Sequence, residues 1–246
     1  MIDDVGDPNG APVVYLHGGG DSKLSRHPDD SIAATLGIRL LAVDRSGPLD
    51  RRRTLRSWAE RTLAELPVER FAVVGWSAGG PHALALAAVA PERVSRAVIV
   101  APLPPPDRSD LYPDDIRQAM RVGRVAPRYV AYRLERWGRE TPATTCDAAC
   151  DDAYARGRRE AFRAGGRNLA RELTYLGRPW DIELKNVSAP VSVWCGTRDD
   201  VFPPAVGEVF AARLPSATVN LVDDTHQLLF SRWREILADA AQQTRP

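Results

Sequence analysis

Six short runs, apolar at nearly every position, recur along this chain: "PVVYLH" at 12–17, "IRLLAVD" at 38–44, "RFAVVGW" at 70–76, "SRAVIVA" at 95–101, "PVSVWCG" at 190–196 and "ATVNLVD" at 217–223. A strand facing solvent on one side alternates polar and apolar residues. Continuous runs like these belong to strands covered on both faces. Between them, 54–66, 79–90, 204–214 and 227–242 read as helices, the second with Pro81 in its first turn and Pro91 just past its end. Strand and helix in alternation predict an α/β fold, a mostly parallel central sheet flanked by helices. Ligand sites in such sheets lie beyond the carboxyl ends of the strands.

The alternation breaks once. From Leu103 to about Asn186 no comparable strand occurs; "PLPPPDRSD" opens the segment, and arginine-rich helical stretches follow at 113–124, 127–138, 147–164 and 166–176. Those arginines read as a solvated helical surface in preference to a dedicated anion site. At 246 residues and 44% hydrophobic content, one core with an inserted segment is the economical organisation. The predicted division is a core of 1–102 and 187–246 with a helical insertion at 103–186.

The formal net charge is +1, so no bulk field draws the chain to nucleic acid or to an anionic membrane. The start, "MIDDVGDPNG", is acidic and lacks signal-peptide character. The longest apolar run, "ALALAAVA" at 83–90, is far short of the about 20 residues that span a bilayer. The expectation is a soluble, cytoplasmic protein. Its three cysteines do not suggest a disulfide framework: Cys146 and Cys150 read as two small thiols one helical turn apart rather than a metal pair, and Cys195 as a core thiol.

The chemistry centres on "GWSAGG" at 75–80, between an apparent strand and an alanine-rich helix. Glycines two before and two after a serine fit a turn too tight for flanking side chains, and strand–turn–helix is the context a nucleophile elbow requires. Ser77 is therefore the candidate nucleophile; the alternative is a tight turn with a surface serine. A serine hydroxyl needs a base. Of four histidines, His17 ends a strand, His27 opens a helix and His82 lies in the elbow helix, which leaves His226, just beyond the last strand, as the base. Asp199 in "GTRDDVFPP" is the candidate for orienting the imidazole; Asp200, Asp223 and Asp224 are rivals. "HGGG" at 17–20 offers backbone amides for an oxyanion, with a partner amide at Ala78.

The motifs "PVVYLHGGG", "AVDRSG", "FAVVGWSAGGPHALALAAVAPERV", "GTRDDVFPP" and "HQLLFSRWREIL" resemble the α/β-hydrolase superfamily, most of all its small esterase-like members, over 10–101 and 188–240. The resemblance implies Ser77 as nucleophile, Asp199 as acid, His226 as base, Gly19 and Ala78 as oxyanion donors, and the insertion as a helical cap. Gly18, Trp76, Trp137 and Tyr175, with Trp180, are candidate substrate contacts, each serving equally well as packing. The chain departs from the family in three places: the N-terminal hairpin is truncated, the loop after the second run reads "DRSGPLDRRR", and "DDTH" sets Asp224 beside the base, where it would raise the imidazole pKa.

The implied activity is hydrolysis of a carboxylic ester, lactone or thioester of a small molecule through an acyl-serine, with no metal or organic cofactor. The same triad in relatives serves cyclisation by acyl transfer, C–C hydrolysis, perhydrolysis or cyanohydrin cleavage. A binding protein on a hydrolase scaffold is the remaining alternative. No oligomeric state follows.

Overall fold

The computed structural model describes residues 2–45, 53–140 and 144–242; "SGPLDRR" at 46–52, most of the divergent loop, lies outside them. Seven strands form one sheet: β1 (Ile2–Gly6), β2 (Ala11–Leu16), β3 (Ile38–Val43), β4 (Phe71–Trp76), β5 (Val94–Val100), β6 (Val191–Gly196) and β7 (Ala217–Val222). Their order is β1-β3-β2-β4-β5-β6-β7, with every pairing parallel except β1 on β3.

The six strands read from the sequence are all present. The seventh, β1, was not among them because "IDDVG" carries two aspartates and shows no apolar run. It is an edge strand, where charge is tolerated. Asp4 pairs with Arg39 of the neighbouring strand at 2.6 Å, and Asp3 takes the Lys23 ammonium at 2.6 Å.

Successive residues of the inner strands feed two apolar layers. Val14, Leu16, Val73 and Ile99 face one side; Val13, Tyr15, Val74 and Val98 face the other. The first layer is covered by α2 (Leu55–Glu65), α3 (Gly79–Val89) and α8 (Ala205–Ala211), the second by α1 (Ser31–Thr35), α9 (Leu228–Ser231) and α10 (Trp233–Ala240). Helix α2 starts at a capping box, Thr54 Oγ1 accepting from Ser57 N (3.2 Å) and Ser57 Oγ from Thr54 N (3.0 Å). The helix expected over 227–242 is two helices, interrupted at Arg232 with φ −110° and ψ 18°. The second is pinned to the sheet through Asp239, whose carboxylate accepts from Trp194 Nε1 (2.8 Å), Arg96 Nε (3.0 Å) and Ser192 Oγ (3.1 Å).

Between β5 and β6 the chain forms α4 (Asp114–Val122), α5 (Pro127–Glu140), α6 (Ala148–Ala161) and α7 (Arg167–Leu176), close to the stretches expected. They carry a small apolar cluster of their own, Val130, Ala131 and Ala170, and are otherwise tied into the two layers. Phe162, Leu169, Leu173 and Leu176 join the first layer, while Cys150 and Tyr154 join the second. Among the described residues no helix is long and apolar enough to cross a membrane.

The glycines of the elbow now have steric reasons. A Cβ on Gly75 would sit 2.4 Å from Gly79 O, and one on Gly79 would sit 2.3 Å from Leu16 O and 2.7 Å from His17 O. Both obstacles are backbone, so neither yields by a rotamer change. Gly79→Ala is expected to destabilise the fold by about 3 kcal/mol, lowering Tm by roughly 10 °C. A thermal melt within 2–3 °C of wild type (about 1 kcal/mol) would contradict the tight approach.

Candidate active site

All parallel strands end on one edge, and the parallel register lines up Leu16, Gly75 and Ile99 there. Ser77 follows β4 directly and adopts φ +53°, a left-handed conformation that a serine rarely takes. Its own backbone locks it: Ser77 N donates to Val100 O (2.8 Å), and Ser77 O accepts from Gly80 N (2.9 Å) and Leu103 N (3.1 Å). The hydroxyl is thereby raised above the sheet at the start of α3.

His226 lies in the turn between β7 and α9. Its Nε2 is 3.1 Å from Ser77 Oγ, and its Nδ1 is 2.9 Å from Asp199 Oδ2. With Nδ1–H donating to the carboxylate, Nε2 is left as the acceptor facing the serine hydroxyl. Asp199 is itself held: Oδ1 accepts from Val201 N and Phe202 N, both at 2.8 Å. The rivals stand elsewhere. Asp200 is exposed, Asp223 pairs with Arg198 at 2.7 Å, and Asp224 accepts from Thr225 N (2.8 Å) and Ser231 Oγ (2.5 Å). The Asp224 carboxylate thus faces Ser231 and not the imidazole.

Trp76 supports the base from below, its Nε1 donating to His226 O at 3.1 Å and its ring centroid 5.8 Å from the imidazole. It is buried under Tyr154 and Phe230, which makes it a support for the histidine. Gly19 stands beside Ala78, 3.4 Å from a Cβ built on Gly19 to Ala78 Cβ. Among the described residues no acceptor takes the Gly19 or the Ala78 N–H. Leu169 lies over Gly19, and Leu169, Trp137 and Phe162 lie over Gly20. Gly18 packs on Trp76. The Tyr175 hydroxyl meets His82 Nε2 at 2.6 Å. Trp180 donates to Leu176 O at 3.1 Å.

Charged groups around these loops were not singled out from the sequence. Arg45, directly after the β3 aspartate, is buried and reaches Gly18 O (2.6 Å) and Glu172 of α7. Arg158 of α6 was expected at a solvated surface, and other arginines of the segment, such as Arg136 and Arg156, do pair with carboxylates one turn away. Arg158 instead is buried, stacked on Trp137 (4.8 Å) and Tyr154 (4.6 Å). Cys150 and Cys195 are buried and Cys146 is exposed, all as free thiols; Cys146, Asp147 and Cys150 bring their ligand atoms within 4.8 Å of one another, with Asp147 engaged in capping α6 through Cys150 N.

His17 and His82 are pushed well below the ordinary histidine range, by burial first and by the Arg45 charge second, and stay neutral. Asp21 directly follows the glycine run and is 6% exposed; burial pushes its carboxyl up to about 7, against the pull of Arg158, Arg45 and His226. A carboxyl that titrates higher folded than unfolded loses its proton first in the unfolded chain. It therefore subtracts stability progressively from about pH 4 to pH 7 and by its full amount above. The Tm advantage of Asp21→Asn over wild type is expected to be wider at pH 8 than at pH 5 by at least about 3 °C. A gap that does not change with pH would show that Asp21 titrates normally.

Comparison with known proteins gives a consistent set. Residues 11–139 match a family model described as the alpha/beta hydrolase fold. A pimeloyl-(acyl-carrier protein) methyl ester esterase of Aromatoleum aromaticum is 29% identical over 234 residues, 88% of this chain and 90% of that one. Among solved structures, an enol-lactonase from Burkholderia xenovorans superposes with a TM-score of 0.71 at 17% identity, covering 98% of this chain and 95% of its own. A putative non-heme bromoperoxidase from Mycobacterium tuberculosis reaches 0.68 at 24% identity, covering 96% and 92%. At those identities the two structures speak for the fold.

Proposed function

The chain belongs to the α/β-hydrolase family, and from that membership we propose that it is a serine hydrolase that cleaves a carboxylic ester, lactone or thioester of a small molecule through an acyl-serine intermediate. The observation that carries the reading is the unbroken hydrogen-bond chain Asp199–His226–Ser77 at the carboxyl edge of the sheet.

In this reading Ser77 Oγ attacks the acyl carbon while His226 Nε2 takes its proton. Asp199 fixes the tautomer and stabilises the imidazolium that forms. The Gly19 and Ala78 amides hold the developing oxyanion; each such donor contributes about 2.7–4 kcal/mol to catalysis. The imidazolium gives its proton to the oxygen or sulfur of the departing alcohol or thiol. The neutral imidazole then takes a proton from the water that attacks the acyl-serine and passes it to Ser77 Oγ as the acid is released. Every one of these steps uses groups of the chain and water. The Aromatoleum aromaticum relative is named for a methyl ester, a bond of the type assigned here.

Residues 103–186 serve in this reading as a helical cap over a core formed by 1–102 and 187–246. Leu169, Trp137 and Phe162 of that segment, packed against Gly19 and Gly20, support this assignment. In this reading they face the glycine run beside Ser77, with Gly18 on Trp76 beneath.

The test is treatment with a fluorophosphonate and with p-nitrophenyl butyrate. Stoichiometric labelling at Ser77 with ester turnover is expected, and Ser77→Ala and His226→Ala should lose at least about 10⁴-fold in kcat. Folded wild type that takes no label and turns over no ester would exclude the reading.

A further inference from the structure

We propose that Arg45 is a positioning residue for the oxyanion-binding amides, and that α7 of the inserted segment holds it in place through Glu172 and Tyr175. The inference rests on the reading of Gly19 and Ala78 as oxyanion donors.

Arg45 follows β3, and the sheet order puts β2 between it and β4. Its guanidinium crosses the end of β2 and touches both loops that supply the amides: Nη2 donates to Gly18 O at 2.6 Å, and Nη1 lies 3.4 Å from Ala78 O. Each of these carbonyls also receives a neutral histidine. His17 Nδ1 is 2.8 Å from Gly18 O, with Arg45 N donating to His17 Nε2 at 3.1 Å. His82 Nδ1 is 2.7 Å from Ala78 O. One guanidinium thus stands between two matching His–carbonyl pairs.

The peptide geometry turns this clamp into an effect on the site. In a trans peptide the C=O and the following N–H point in opposite directions, and the described chain has no cis bond. Drawing Gly18 O down toward Arg45 therefore turns Gly19 N–H up, away from the interior. The Ala78 N–H shares its plane with Ser77 O, which Gly80 N and Leu103 N hold down. Arg45 and His82 hold the next carbonyl, so Ala78 is fixed by the peptides on both of its sides. Glycine loops have no side chains to set their own orientation; here the donors to their carbonyls do so.

The clamp is anchored from α7. The Arg45 side chain is 1% exposed, and its partner is the Glu172 carboxylate, which engages both terminal nitrogens. Ala78 O can only accept, so His82 Nδ1 carries the proton toward it and Nε2 is left to accept the hydroxyl of Tyr175, presented by the same helix at 2.6 Å. Glu172 and Tyr175 are three apart and lie on one helical face. Arginine suits this position, because its planar fork reaches two carbonyls and a carboxylate at once, which an ammonium does not.

The experiment compares wild type with Glu172→Gln, Tyr175→Phe and the double variant Arg45→Met with Glu172→Leu, which leaves no unpaired buried charge behind. Melting curves and active-site titration with the fluorophosphonate establish the folded, competent fraction. On p-nitrophenyl butyrate, kcat per titrated site should fall about 100-fold in the double variant and about 5- to 20-fold in the single ones, with KM within about threefold. The inhibition constant of a trifluoromethyl ketone, which forms a tetrahedral adduct on the serine, should rise by the factor that kcat/KM falls. If the double variant does not fold, the two single variants, each short of one contact, decide the matter. A kcat per site within about twofold of wild type, or a change confined to KM or Tm, overturns the inference while leaving the hydrolase reading intact. Wild type inert to both ester and fluorophosphonate overturns that reading, and this inference with it.

Discussion

A left-handed backbone at a serine is the constraint around which the rest of the sheet edge is arranged. The φ of +53° at Ser77 costs of order 1–3 kcal/mol, and it persists because its neighbours leave no alternative. The amide is tied to β5, the carbonyl to the first turn of α3 and to Leu103, and the flanking glycines are closed in by backbone on both sides. Three strands and a helix must be in register for that turn to exist. The same register brings the loops carrying Asp199 and His226 to within hydrogen-bond reach.

Around this turn the molecule buries charge. Arg45 and Glu172, with Asp21 and Arg158, sit close to a serine that, in the proposed chemistry, develops negative charge on its substrate. Two neutral histidines among them act as hydrogen-bond spacers: burial and the nearby guanidinium keep protons off. In that chemistry the anion would form in front of a guanidinium whose charge is shared with Glu172 and near an Asp21 carboxyl that burial holds up to about 7.

The sequence was most informative where physical chemistry is local. Strands covered on both faces are apolar at nearly every position, so the five inner strands could be read directly. β7, at the far edge with Leu221 exposed, was read from its apolar run although one side of it is open, whereas β1, at the other edge and carrying Asp3 and Asp4, could not be. The order Ser77, Asp199, His226 was legible from turn chemistry at strand ends. The choice among four aspartates was not, because it depends on two backbone amides at Val201 and Phe202 that grip one carboxylate oxygen. Arg45 and Glu172 escaped notice for a different reason. They are 127 residues apart, one in a loop and one in an arginine-rich helix where any single glutamate looks like a surface partner. Tyr175 was picked out for its aromatic ring, and its hydroxyl turned out to be the part in use.

The glycine run after β2 has a further consequence for how such a protein diversifies. Positions 18–20 present no side chains of their own, and a Cβ at Gly18 would meet the Asp21 carboxylate at 2.7 Å and the Trp76 ring at 3.1 Å. At Gly18, then, a side chain would have to displace the Asp21 carboxylate or the Trp76 ring. What covers the run comes from Trp137, Phe162 and Leu169, more than a hundred residues further along the chain and on helices whose outer faces are free to change. In the proposed reading, a change of substrate preference would therefore come from side chains far along the chain that approach the glycine run, rather than from the run itself.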